Sequence, residues 1–166
     1  TVITGSGTLV SKGADDALLA RYSLEGTLLW AISVGGTGSD HINDIAVDAA
    51  GNVLAIGYFQ GSVDFDPGPG VVHAGADIGD AMFLWKVSAA GELVWVRSWA
   101  GSSSENGFAV SVGPADDPWI GGGYYGTWDL DPAGGGTMVS APGFEENAFL
   151  VHLDVDGILL FGGDMG

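Results

Sequence analysis

Two short acidic runs carry the residue types and spacing most able to do chemistry. Asp64-Phe65-Asp66-Pro67-Gly68 holds one carboxylate pair, and Asp129-Leu130-Asp131-Pro132 holds another. Residues i and i+2 of an extended chain point to one face. Each run therefore sets two carboxylates side by side and turns Phe65 or Leu130 the other way. Paired carboxylates with loop carbonyls are the start of a calcium site, since that ion takes about six to eight oxygens. On this reading Asp64, Asp66, Asp129 and Asp131 are metal ligands and calcium is the cofactor. The competing reading is a turn, in which Asp66 bonds its own backbone ahead of Pro67 and Gly68.

Other groupings are weaker. Asp154-Val155-Asp156-Gly157 has the look of a calcium loop, but its counterparts Ser88–Gly91 and Ser23–Gly26 lack the acids, so a hairpin turn is expected. Gly121, Gly123 and Gly126 match the dinucleotide-binding spacing, yet neither a helix nor a strand–helix–strand unit is expected around them. His41, His73 and His152 hold no metal spacing. Glu105, Glu145 and Glu146 read as surface carboxylates, although an acid–base pair across units would use such residues. Tyr124, Tyr125 and Trp128 cluster beside the second acidic pair. Tyr125 and Trp128 are the candidates for stacking on a sugar, against a packing role between units.

The elements that position these residues come from an internal repeat. Residues 51–68, GNVLAIGYFQGSVDFDPG, recur as residues 116–132, DDPWIGGGYYGTWDLDP. Gly57 matches Gly122, Gly61 matches Gly126, Asp64 matches Asp129 and Asp66 matches Asp131, all 65 positions apart. Trp30, Trp95 and Phe161 share one repeat position, the last after a slip of one residue, and are expected to pack between units. Alternating apolar residues and Gly-bearing turns predict four antiparallel strands per unit. The chain divides into a three-strand unit (1–36) and two full units (37–101 and 102–166). Residues 1–7 resemble residues 53–59 and are expected to be a strand of the partial unit, which lacks the opening strand of a full one. The helix-favouring run Ala14–Ala20 is expected to be strand, like its repeat partners. Four-stranded units repeated at this length predict an all-β fold of β-propeller blades in an incomplete ring.

The runs GYFQGSVDFDPGPG, DAMFLWKVSAAGELVW and INDIAVDAAGNVLAIG resemble the blade repeats of secreted bacterial β-propeller (SBBP-type) proteins. The resemblance covers nearly the whole chain and is weakest over residues 1–16. It implies a secreted or cell-surface location in a large multidomain protein, and it implies no single activity.

Composition narrows the partners. The chain has 166 residues, 30 of them Gly, and 46% are apolar, enough for a sizeable core. Net charge is −17 with four basic residues, so a polyanion such as nucleic acid or an acidic membrane is repelled. Without cysteine there are no disulfides or thiolate metal sites. No run is long enough to cross a membrane as a helix, and the start has no secretory leader pattern. Thr1 reads as the interior of a strand, so the chain is expected to be a processed or excerpted piece.

The leading expectation is a non-catalytic extracellular scaffold or adhesion module, stabilised by calcium. A carbohydrate-binding module and a propeller glycosidase or lyase are the alternatives. Further blades of a longer parent chain, or copies of this chain packed face to face in a ring or filament, are the expected partners, with a glycan or a protein as the bound ligand.

Overall fold

The computed structural model describes residues 2–4, 7–100, 104–141 and 145–165. Thr1, Gly101 (the expected match of Gly36) and Gly166 lie outside the described residues. Within them the protein is all-β, with fourteen strands, no helix, and antiparallel pairing between strands.

The chain opens with a separate two-stranded hairpin, β1 (Val2–Thr4) and β2 (Gly7–Leu9). The strand expected near the start of the partial unit therefore does not join β3 and β4. The run folds on itself, pairing Val2 with Leu9. Next come β3 (Ala17–Tyr22) and β4 (Leu28–Val34), a two-stranded sheet. The Ala14–Ala20 run does enter a strand, because Ala17 and Leu19 alternate inward with burial.

The middle sheet is a four-stranded meander of β5 (His41–Val47), β6 (Val53–Asp64), β7 (His73–Val87) and β8 (Leu93–Trp99). The last sheet begins with β9 (Glu105–Val112) and β10 (Pro118–Tyr124). A small hairpin follows, β11 (Thr127–Asp129) and β12 (Met138–Ser140). Then β13 (Asn147–Leu153) and β14 (Leu159–Asp164) complete the sheet. Hairpin β11–β12 is the counterpart of the far ends of β6 and β7, where Asp64 pairs with His73. In the middle unit these arms continue the long strands. In the last unit they stand apart.

The repeated glycines have separate causes. A Cβ on Gly57 would sit 1.9 Å from the His41 carbonyl oxygen, and one on Gly122 would sit 2.0 Å from that of Asn106. Both lie beside a shift of register between the first two strands of their sheet, where the backbones crowd. Gly61 and Gly126 instead adopt φ of 71° and 69°, a conformation that costs other residues steric strain.

Two apolar layers hold the sheets face to face. One lies between β3–β4 and the middle sheet and includes Leu19, Ala55, Phe59, Phe65, Phe83 and Trp85. The other lies between the middle and last sheets and includes Leu54, Ile56, Leu84, Ile120, Phe149 and Val151. Strand β6 sends Val53 and Ala55 to the first layer and Leu54 and Ile56 to the second, so the middle sheet is covered on both faces.

Candidate functional site

Each acidic pair sits where a strand gives way to a loop. Asp64 ends β6 and Asp129 ends β11. Their carboxylates are engaged by the loops they begin. Asp64 Oδ1 accepts the N–H groups of Asp66 (3.1 Å) and Val72 (2.8 Å). Asp129 accepts those of Asp131 (3.0 Å, Oδ1) and Gly136 (3.0 Å, Oδ2). The second acid of each pair caps its own turn: Asp66 Oδ1 accepts from Gly68 at 2.7 Å and Asp131 Oδ1 from Ala133 at 2.9 Å. Burial pushes the Asp64 carboxyl up, but the Val72 and Asp66 N–H donors outweigh it and hold the group below its ordinary value.

The residue between the acids explains what the turn is for. Phe65 and Leu130 are fully buried. Phe65 meets Phe59 edge-on at 5.4 Å between ring centroids and lies 5.1 Å from Phe83. Leu130 enters the second layer, and its carbonyl accepts the Trp99 indole N–H at 2.9 Å from the neighbouring sheet. The Asp-x-Asp run is thus a stitched loop that drives one apolar residue into the space between sheets. A further repeat completes it. A Cβ on Gly70 or on Gly135, which are 65 positions apart, would collide with Oδ2 of Asp66 or of Asp131. Neither glycine stood out in the sequence, because the loops around them differ in every neighbouring residue.

For calcium these residues offer a donor set that is partly occupied by the protein's own backbone. Backbone donors hold both oxygens of Asp129 and one oxygen each of Asp64, Asp66 and Asp131, and among the described residues no three His, Asp or Glu side chains come together. Replacing Asp64 with Ala should cost about 2 kcal/mol, because two N–H groups lose a charged acceptor. Urea unfolding of the purified chain measures it. The unaltered chain should melt at one temperature in EDTA and in calcium, and a clear rise with calcium would support the metal reading.

The remaining candidates are dispersed. Trp128 is 1% exposed, stacked on Tyr124 at 5.6 Å and against Phe149 at 4.7 Å, so it offers no face to a sugar. Tyr125 is half-buried beside it. Glu105, expected at the surface, is fully buried, whereas Glu145 and Glu146 are exposed. The buried acid matches Asp40, also buried, whose carboxylate accepts the Gly36 and Gln60 N–H groups. His41 stacks on Tyr58, His73 starts β7, and His152 stacks on Trp119 and bonds Asp117. Gly121 and Gly123 lie inside β10, which turns into β11 and not into a helix.

Asp154 belongs to a turn that the molecule uses repeatedly. Its Oδ1 accepts the N–H groups of Asp156 and Ile158, both at 2.9 Å. Ser88 Oγ does the same for Ala90 and Glu92, and Ser23 Oγ for Glu25 and Thr27. Serine and aspartate are interchangeable acceptors here.

The bonds that sequence reasoning missed join one sheet to the next. Trp30 Nε1 donates to the Ala89 carbonyl at 3.0 Å, and Trp95 Nε1 donates to the Val155 carbonyl at 3.0 Å. Arg21 also donates to Ala89, at 2.7 Å, and Arg97 to Gly157, at 3.0 Å. Within the middle sheet, Lys86 is buried with Asp48 in an ion pair of 3.0 Å. The repeat placement of the tryptophans was legible, but the carbonyls they seek carry no side-chain signal.

Comparison with known proteins finds no family model that matches the chain and no curated protein of similar sequence.

Proposed function

We propose that the chain is a non-catalytic scaffold, built of β-propeller blades and working outside the cell or on its surface. The observation that carries this is the repeated joint between sheets. The molecule commits its buried aromatics, Arg21, Arg97 and the apolar residues of both acidic loops to holding one sheet against the next. Stacking of this kind extends naturally to further sheets, as repeat architectures require. The SBBP-type resemblance supports the extracellular placement, and the strongly negative surface suits a soluble exterior module.

Antibodies against this chain, applied to intact producing cells and to their culture medium, test the placement. Labelling of the surface or the medium is the expected result. Signal obtained only after lysis would overturn it.

A further inference from the structure

The joint between sheets has a donor half and an acceptor half, and among the described residues each occurs once without its mate. The acceptor half is the turn between the third and fourth strands of a unit. At Ser88–Glu92 and Asp154–Ile158 the turns close with matching backbone bonds, and Gly91 and Gly157 take φ of 87° and 78°. Those glycines lie under the incoming tryptophan. A Cβ on Gly91 would sit 3.1 Å from the Trp30 ring, and one on Gly157 would sit 3.4 Å from that of Trp95.

The turn Ser23–Thr27 has the same bonds, and Gly26 has the same conformation, φ 80°. Yet a Cβ on Gly26 would meet nothing within 4 Å, and Leu24, which stands where Ala89 and Val155 do, is fully exposed. The socket is formed and vacant.

The donor half without a mate is Phe161, at the position of Trp30 and Trp95 and 54% exposed. It lies on the outer face of the last sheet, opposite His152, which in turn pairs with Trp119. An open groove on this face is lined by Ala109, Trp119, Gly121 and Leu150. Leu54, Ile56 and Leu84 occupy the corresponding positions of the middle sheet, where they are fully buried against its neighbour.

We propose that the outer face of the last sheet docks on a second copy of this chain, with Phe161 seated over the Ser23–Thr27 turn. The inference rests on the stacked-scaffold reading and extends its joint across two molecules. The contact is head-to-tail, since the donor and acceptor surfaces differ. Copies joined this way close into a ring or continue as a filament. Phenylalanine fills the socket without the indole N–H, so the contact between copies is weaker than the two joints within the chain.

Sedimentation velocity of the purified chain, over a concentration series reaching about 100 μM, tests the proposal against typical weak-interface affinities. The expected result is concentration-dependent association. Phe161→Trp should tighten it roughly tenfold by restoring the N–H donor. Gly26→Asn should abolish it while leaving the fold intact, because asparagine accepts positive φ and the space around Gly26 is open within one copy. Circular dichroism confirms the fold of each variant. A chain that stays monomeric throughout, or association that Gly26→Asn leaves unchanged, would overturn the proposal. Monomer together with surface labelling of cells would remove this joint alone and leave the scaffold reading standing.

Discussion

Replacing Lys86 with methionine should destabilise the protein by about 3–5 kcal/mol, the usual result of stripping one partner from a buried ion pair. The Lys86 side chain is 7% exposed and that of Asp48 is 2% exposed. Asp48 also accepts the N–H groups of Ala50 and Asn52 and the Asn52 amide. Methionine matches the lysine stem in length and leaves the carboxylate buried without its cation. Urea unfolding measures the loss, and a loss below about 1 kcal/mol would show that the backbone donors alone suffice.

The effect should depend on pH in a defined direction. Burial pushes the Asp48 carboxyl up, but Asn52 and Lys86 together outweigh it and hold it below its ordinary 3.8. A depressed acid stabilises the fold above its unfolded pKa and loses that contribution as pH falls through its folded pKa. In the Lys86→Met chain the carboxylate keeps its burial and loses its cation, so it takes up a proton sooner. The gap between variant and parent should therefore narrow in acid.

The second large effect is expected at Phe65. Phe65→Ala should cost about 3–5 kcal/mol, as removal of a fully buried aromatic ring does. The ring touches Phe59, Phe83 and Trp85, so its loss opens the layer between β3–β4 and the middle sheet. Phe65→Leu should recover much of the loss, because leucine is the residue at the matching position 130. Recovery would show that the loop delivers an apolar plug whose shape is secondary. No recovery would show that the ring contacts themselves are required.

Much of the fold was legible because it repeats. Gly57 with Gly122 and Asp64 with Asp129 gave the period before any pairing was known, and alternation gave strand type. What the period could not give was depth. Glu105 looks like any loop carboxylate, but it sits at the buried position of Asp40, where neighbouring sheets crowd together. Trp128 looked like a partner for Tyr125 in sugar binding. Its side of β11 is the inner one, a matter settled by how the small hairpin folds over Phe149. The opening run misled for a related reason. Val2–Thr4 resembles the start of β6 in composition, but Gly7–Leu9 competes for it locally, and the nearer partner costs less chain entropy to reach. The acidic pairs were found at the correct positions, while their work was visible only once Phe65 and Leu130 were seen to be buried.

The double coverage of the middle sheet has a consequence for how the molecule opens. Strands β6 and β7 have an apolar layer on each side, so their amides can be released only when both layers part. Hydrogen exchange there should follow complete unfolding. The pair β3–β4 and the strand β14 have one layer each and should exchange through smaller, cheaper openings that leave the centre intact. Isotope labelling would then trace a gradient from slow at the middle of the chain to fast toward both flanks. A pull on the two ends would unravel the protein in the same order, outermost sheets first.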